Sequence, residues 1–257
     1  MIDAYQANPI TVRRLIESAQ PHFAFTCGEH WTEDRARAEL KAAGVPVLVA
    51  DLGYFHRAKG PHDATGYNQL GVGSLCWVPP VDVPDDRWRA LGIPDALPPV
   101  SGRGKVCLVL GQVAGDTQHK MTAANLHAWF ADHTHSLRAD GWRIVYRPHP
   151  IMRGTEPRAT WADAVRTNDH ATLAEGIASA SRVVTYNSTA GLEAILAGVP
   201  VTCSPFAHYA VVAEYGSGGV THERTMQHMH RLAYAQWTCD ELASGEALRF
   251  ASQFLRI

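Results

Sequence analysis

The chain lacks several features that would assign it at once to a familiar class. None of its apolar runs approaches the roughly 20 residues that span a bilayer. Its first residues have neither the basic start nor the apolar centre of a secretory signal. These absences predict a cytoplasmic protein without a transmembrane segment. Its five cysteines are scattered and form no C-x-x-C pair, which favours reduced thiols over a disulfide framework or a zinc site.

Common motifs of nucleotide and metal chemistry are also missing. No G-x-x-x-x-G-K-[ST] is present, which disfavours P-loop chemistry, and no G-x-G-x-x-G follows a strand, which disfavours an ordinary dinucleotide fold. None of the 14 histidines stands in an H-E-x-x-H spacing, and no Asp-x-Asp cluster is evident. We therefore expect chemistry without a metal ion or a cofactor. The net charge of −2 gives no overall attraction to nucleic acid.

What the chain does contain is an alternation of strand-like and helix-like segments. Strands are predicted over 23–26, 45–50, 105–110 and 142–146, and helices over 10–20, 33–43, 123–140 and 223–235. Such alternation predicts parallel sheets with helices on their faces. The Gly- and His-rich stretch 53–73 is interpreted as a mobile loop. A Pro-rich stretch at 78–104 is a natural boundary, so we predict an α/β protein with domains at 1–100 and 101–257.

One segment of the second domain has the pattern of strand, polar turn and helix. A β-branched run is followed by Asn187, Ser188 and Thr189, and then by an apolar helical pattern that Gly198 and Pro200 end. The start of such a helix offers free N–H groups and a positive dipole end, which suits a phosphate. The three polar side chains can cap the helix or donate to an anion. An ordinary capped helix fits the same pattern.

Further polar residues follow the predicted strands at their carboxyl ends, where open parallel sheets bind ligands. Arg147 can hold a phosphate with two hydrogen bonds, and the prolines on both sides of His149 limit its orientation. Glu193, about one turn inside the helix, suits a ribose better than a phosphate. We predict a nucleotide mono- or diphosphate site formed by Gln112, Asp116, Arg147, His149, Asn187, Ser188, Thr189 and Glu193.

The order of these motifs resembles the bacterial capsule polysaccharide glycosyltransferases, and among them those that transfer 3-deoxy-manno-octulosonic acid. The motifs are Gly111-Gln112-Val113-x-x-Asp116, Arg147-Pro148-His149-Pro150, Ser188 to Ala194 and Gly198 to Cys203. Asp51-Leu52-Gly53-Tyr54 is similar to an acidic stretch of that family. The resemblance implies a GT-B-like α/β fold of two Rossmann-like lobes, here with a shortened N-terminal lobe. It also implies that the C-terminal lobe binds the donor and that the acceptor faces the N-terminal lobe.

The predicted function is the transfer of a sugar from a nucleotide-activated donor to a hydroxyl acceptor, most simply a saccharide. Arg147 and His149, with the hydroxyls at 188 and 189, would stabilise the departing phosphate. Asp51 would be the general base that deprotonates the acceptor, and Glu29 at the neighbouring strand end is its rival. The sequence does not choose between CMP, UDP and GDP as the donor nucleotide, or between retention and inversion.

Two alternatives stay open at this point. A compact glycosyltransferase of phage type would modify hydroxymethylated bases in DNA, and a short N-terminal lobe is compatible with that acceptor. The chain is also compatible with a non-catalytic nucleotide-binding subunit, or an oligomer, whose missing lobe parts a partner supplies. Salt-dependent DNA binding would identify the first alternative, and the absence of sugar-nucleotide turnover would identify the second.

Overall fold

The computed structural model describes residues 9–27, 31–59, 63, 65–74, 77–98, 104–116, 118–155, 159–162, 172–215 and 219–254. Its contacts divide the chain into two compact units. The first unit comprises residues 1–91 and 230–257, and the second comprises residues 92–229. The C-terminal segment therefore groups with the first part of the chain, whereas the sequence pattern assigned it to the second domain. Within the described ranges, no helix combines the length and apolarity that crossing a membrane requires.

The elements alternate along the chain in both units. The strands are β1 (Ala24–Cys27), β2 (Val47–Leu52), β3 (Tyr67–Val72), β4 (Val106–Leu110), β5 (Arg143–Arg147), β6 (Arg182–Val184), β7 (Val201–Thr202) and β8 (Gln236–Thr238). The helices are α1 (Pro9–Ala19), α2 (Trp31–Ala42), α3 (Asp86–Ala90), α4 (Ala123–Ala139), α5 (Leu173–Ala178), α6 (Ala190–Leu196), α7 (His222–Ala233), α8 (Cys239–Ala243) and α9 (Glu246–Ser252). The predicted strands and helices are thus confirmed, with ends that shift by at most two residues.

The first unit contains a mixed four-stranded sheet in the order β1-β2-β3-β8. β1 and β2 are parallel, and β3 is antiparallel to both of its neighbours. One face carries Leu48, Leu70 and Trp237, which pack with Ala247 and Ala251 of α9. The prediction of a purely parallel sheet is wrong here. The stretch 53–73, predicted as a mobile loop, contains the strand β3. The prediction missed this strand because its polar residues hide the alternating pattern.

The Pro-rich stretch between the predicted domains is more than a connection, because it contains α3. Trp88 of that helix is fully buried, and its ring meets Phe55 edge to face at 5.4 Å between centroids. Arg87 forms a two-pronged ion pair with Glu241 at 2.7 and 3.1 Å, and its guanidinium lies 3.9 Å from the centre of the Trp237 ring. These contacts attach α3 to the C-terminal segment within the first unit.

The second unit contains a parallel four-stranded sheet in the order β5-β4-β6-β7. Its core includes Val109 and Ile144 from the strands, and Leu126 and Phe130 from α4. The chain leaves β4 towards β5 on one side, and leaves β6 towards β7 on the other. The carboxyl ends of β4 and β6 therefore flank the point where the strand order reverses, which is where open α/β sheets bind ligands.

Candidate functional site

Two amide side chains bridge the reversal point of the second unit's sheet. Gln112 follows β4, and its Nε2 donates to Asn187 Oδ1 at 2.6 Å. The backbone N–H of Asn187, which follows β6, donates to Gln112 Oε1 at 3.0 Å. Thr185 Oγ1 donates to the carbonyl of Leu110 at 3.3 Å. The structure thus brings the predicted pair together, and the two amides chiefly hold the loops after β4 and β6 side by side.

His149 lies at the same edge, just after β5. Its Nδ1 accepts a hydrogen bond from the backbone N–H of Ile151 at 3.3 Å. Partial burial lowers the pKa of His149 below its ordinary value, and the charge of Asp116 opposes that shift. A neutral ring whose Nδ1 accepts carries its proton on Nε2. His149 can therefore present an Nε2–H donor to a ligand oxygen.

Asp116 shapes the loop between β4 and α4. One carboxylate oxygen accepts from the backbone N–H of Gln118 at 2.9 Å, and the Asp116 carbonyl accepts from Lys120 N at 2.6 Å. Its charge also acts on His119, whose pKa is lowered by burial and raised in part by Asp116. Asp116 thus organises a turn and favours protonation of two imidazoles, and its contact with a nucleotide stays a prediction.

Arg147, the last residue of β5, is half-buried beside a second cation. Burial lowers its pKa, the charge of Arg153 lowers it further, and Glu175 acts in the opposite direction. The positive charges of two neighbouring guanidinium groups repel each other, and an anion bound between or beside them compensates this repulsion. Arg153 was missed at the sequence level, although it follows His149 by four residues in the same basic stretch. The pair adds a positive potential to this edge of the sheet.

The start of α6 differs from the prediction of free N–H groups. Ser188 Oγ accepts from the N–H of Ala190 at 3.3 Å, and the Ser188 carbonyl accepts from the N–H of Gly191 at 2.9 Å. The Thr189 carbonyl accepts from Leu192 N at 2.9 Å. The helix also has only seven residues, so its dipole is short. A phosphate here would be bound mainly by side chains.

A buried tyrosine explains the glycine that follows Thr189 and Ala190. The hydroxyl of fully buried Tyr209 donates to the Ser188 carbonyl at 2.8 Å. A Cβ on Gly191 would lie 2.2 Å from that hydroxyl. Only glycine leaves room for this contact, which fixes the Ser188 turn from below. Glu193, on the same helix, is exposed, as a ribose contact requires.

The small cavity beneath this edge is not a substrate pocket. It is lined by Gln112, His127, Tyr146 and four apolar residues, and its volume is about 10 Å³, which is about the space of one water. The polar side chains described above lie instead at the open edge of the sheet, which is the candidate ligand surface. In the part of the chain that the structure describes, no three His, Cys, Asp or Glu side chains are grouped as metal ligands.

The candidate base Asp51 belongs to the first unit. It lies inside β2, which runs on to Leu52, and not after the strand as the pattern predicted. Its Oδ1 accepts from the N–H of Leu52 at 2.7 Å, and its cross-strand partner is Gln69. A Cβ on Gly53 would lie 2.5 Å from the Tyr67 carbonyl, so the acidic stretch requires glycine at this point. The rival Glu29 lies outside the described residues.

Comparison with protein families gives one match to this chain. The capsule polysaccharide biosynthesis protein family matches residues 88–236, which is more than half of the sequence. The matched region includes every residue of the site on the second unit. A comparison with curated protein sequences gave no match.

Solved structures with a similar fold include two from KpsC of Thermosulfurimonas dismutans. The beta Kdo 2,7 transferase has a TM-score of 0.54 at 17% identity, with 97% of this chain and 91% of that chain covered. The beta Kdo 2,4 transferase has a TM-score of 0.53 at 16% identity, with 86% and 82% covered. At these identities the likeness establishes a shared fold, and the activity of this chain has to be argued from its own residues.

Proposed function

The chain belongs to the capsule polysaccharide biosynthesis protein family, and from this premise we propose that it is a glycosyltransferase of GT-B type. In this proposal the second unit binds a nucleotide-activated sugar and the first unit activates a saccharide hydroxyl. Two solved structures with a similar fold are described as Kdo transferases. We therefore place a CMP-linked acidic sugar first among the candidate donors, ahead of UDP- and GDP-linked sugars.

The observation that carries the proposal is the set of cationic and donor groups at the reversal point of a parallel sheet. Arg147 and Arg153 lie close enough for the charge of one to lower the pKa of the other. His149, two residues after Arg147, presents an Nε2–H donor because its Nδ1 accepts from Ile151. Such a group of donors suits a phosphate, on which negative charge develops as the sugar leaves.

The hydroxyls of Ser188 and Thr189 lie at the turn before α6, after the strand next to β4. Both residues are half-buried, and Tyr209 and Gly191 hold their turn in place. We assign them to a non-bridging phosphate oxygen and Glu193 to the ribose hydroxyls of the nucleotide. Gln112 and Asn187 hold the two loops at the spacing that these contacts need.

Acceptor activation is assigned to Asp51. The carboxylate takes the proton of the acceptor hydroxyl while the acceptor oxygen attacks the anomeric carbon. The bond from that carbon to the phosphate oxygen breaks, and the phosphate leaves with the electron pair. Arg147 compensates the added negative charge, and the Nε2–H of His149 donates to the leaving oxygen. A neutral His149 performs this role through its hydrogen bond and needs no proton transfer.

The proposal is tested with a panel of CMP-, UDP- and GDP-linked sugars against two acceptors. One acceptor is an oligosaccharide and the other is hydroxymethylated DNA, and products are identified by mass. We expect a mass increase of one sugar on the oligosaccharide with one nucleotide class. Transfer to DNA alone would replace the saccharide acceptor in this proposal. Nucleotide binding with no turnover of any donor would contradict the enzyme assignment and favour the subunit alternative.

A further inference from the structure

The sheet of the first unit carries polar side chains at positions where a sheet normally carries apolar ones. Asp51 of β2 lies opposite Gln69 of β3, and Gln69 lies opposite Gln236 of β8. Directly opposed residues point to the same face of a sheet. The three side chains therefore form one row across three strands. We call its two glutamines, Gln69 and Gln236, the amide row.

Burial increases along this row away from Asp51. Asp51 is partly exposed, Gln69 is 5% exposed and Gln236 is 0% exposed. On the opposite face, the neighbouring residues Leu70 and Trp237 belong to the apolar core with α9. Burying two amides in this way is costly unless their hydrogen bonds are made. The row therefore needs an explanation beyond packing.

Gln236 has a defined task at the buried end. Its Oε1 accepts from the backbone N–H groups of both Tyr54 and Phe55, each at 2.8 Å. These residues follow directly on the stretch that contains Asp51. The two N–H donors fix the amide orientation, because an NH₂ group cannot accept from them. Gln236 Nε2 therefore faces away from the loop, and it has no hydrogen-bond partner among the described residues.

The strand register places the side chain of Gln236 opposite that of Gln69. Next to this pair, Leu70 N donates to the Ala235 carbonyl at 2.8 Å and extends the pairing of the two strands. As direct cross-strand neighbours, the Gln69 and Gln236 side chains are close enough to interact. Gln69 in turn is the side chain directly opposite Asp51.

We propose that the amide row positions Asp51 for acceptor activation. Gln236 holds the backbone that follows Asp51, and Gln69 transmits that constraint to the carboxylate from the neighbouring strand. Both are positioning residues that act through Asp51. The inference rests on the proposed role of Asp51 as base and extends it to two residues that no sequence motif indicated.

The test compares two substitutions of Gln236 with a control on the opposite face of the sheet. Gln236→Met removes the acceptor for both N–H groups, whereas Gln236→Glu keeps an oxygen in its place. We expect Gln236→Met to lower kcat by about 10- to 100-fold, as small displacements of reacting groups do, with the KM for the donor unchanged. Gln236→Glu should retain transfer near the wild-type level. Leu70→Ala removes buried apolar volume without touching the row and should lower Tm while kcat persists.

Two further measurements separate positioning from general destabilisation. In an Asp51→Asn background, Gln236→Met should cause no additional loss of kcat, because the two residues act as one unit. Amide exchange at Tyr54 and Phe55 in the wild-type protein should be slow. If Gln236→Met does not fold, Gln69→Leu, which removes the second amide, should produce the same loss of kcat with unchanged donor KM.

Each contrary result has a distinct meaning. Wild-type kcat in folded Gln236→Met, or in folded Gln69→Leu, would overturn the positioning role. Equal losses of kcat in Gln236→Met and Leu70→Ala at equal Tm would overturn it as well. Full transfer by Asp51→Asn would instead overturn the proposed base, and that result does not depend on any variant of the amide row.

Discussion

The two units each contain a four-stranded sheet, but they carry their polar side chains in different places. In the second unit, most of the site residues lie at or just after the strand ends, at the open edge where β4, β5 and β6 end. In the first unit, Asp51, Gln69 and Gln236 lie within the strands themselves. Residues in loops can change with little effect on the core, whereas residues within strands are part of it. Substitutions of site residues should therefore change function without changing stability in the second unit, and should change both together in the first.

The two units also differ in which parts of the sequence build their sheets. β8 completes the first unit's sheet from the far end of the sequence, and Arg87 fixes it through Glu241 and Trp237. The second unit is built from a continuous part of the chain. Contacts between distant parts of the sequence thus decide the stability of the first unit, and the predictions below test this contrast.

The largest expected effect is on catalysis by the first unit. Asp51→Asn keeps the shape of the side chain and removes its basicity, so transfer should fall by about 10²- to 10⁴-fold. Donor affinity, measured by calorimetry, should survive because the donor contacts are assigned to the second unit. Glu29→Gln is the matched rival. Loss of transfer in Glu29→Gln with normal transfer in Asp51→Asn would assign the base to Glu29.

The second effect is on the stability of the first unit. Arg87 is 13% exposed and its partner Glu241 is 25% exposed, so Arg87→Met leaves a partly buried carboxylate unpaired and removes the stack on Trp237. We expect the free energy of unfolding in urea to fall by about 3 kcal/mol. The control is Arg89→Met on the same helix. Arg89 is 69% exposed in its ion pair with Asp85, so its loss should cost no more than about 0.5 kcal/mol.

A similar loss in both arginine variants would contradict the idea that Arg87 anchors the C-terminal segment. A large loss confined to Arg87→Met would strengthen the contrast between the units. The second unit is built from a continuous part of the chain and needs no such contact between distant segments. Arg87→Lys is a further check. It keeps the charge but not the two-pronged geometry, and it should recover only part of the stability.

The third effect is on donor binding by the second unit. His149→Ala removes one hydrogen bond to a charged phosphate, so nucleotide affinity should fall by about tenfold. The Tm should change little, because within the described part of the chain the His149 side chain makes only one exposed hydrogen bond, from the Ile151 N–H. His135→Ala on the exposed side of α4 is the control and should alter neither quantity. Unchanged affinity in His149→Ala, measured by calorimetry, would remove His149 from the site.

The contrast between the units also explains what could be predicted from the sequence. β4, β5 and α4 were predictable because their apolar patterns are local and complete. β3 was not, since Asn68 and Gln69 break the alternation that marks a strand. The pairing of β3 with β8 joins residues about 170 positions apart, and no local pattern encodes it.

For the site, polarity at strand ends located Gln112, His149 and Asn187. The use of the N–H groups at the start of α6 by Ser188 could not be read from the sequence, because it depends on the backbone path of the turn. Arg153 was also missed, since its effect on Arg147 arises only when the short helical turn after His149 brings the two together.

The smallest expected effect is a pH dependence set by Asp116. Burial lowers the pKa values of His119 and His149, and the Asp116 charge partly offsets both shifts. Above the ordinary histidine value of 6.5 both rings are neutral whether the chain is folded or not. As the pH falls below that value, the unfolded chain takes up protons before the native state does, so the free energy of unfolding decreases.

Asp116→Asn should make this loss of stability at low pH larger. Without the carboxylate the pKa values of both histidines fall further, so the native rings take up protons only at lower pH. NMR titration of the His149 ring gives the direct measurement, and urea unfolding between pH 5.5 and 7.5 gives the thermodynamic one. Asp132→Asn on exposed α4 is the control.

The effect is small because both rings are only partly buried and solvent screens the charge. The carboxylates with lowered pKa values, such as Asp63 and Asp86, start from 3.8 and titrate in a lower window. An unchanged His149 titration in Asp116→Asn would show that the two groups do not interact, and the loop after β4 would then have only a structural role at this edge.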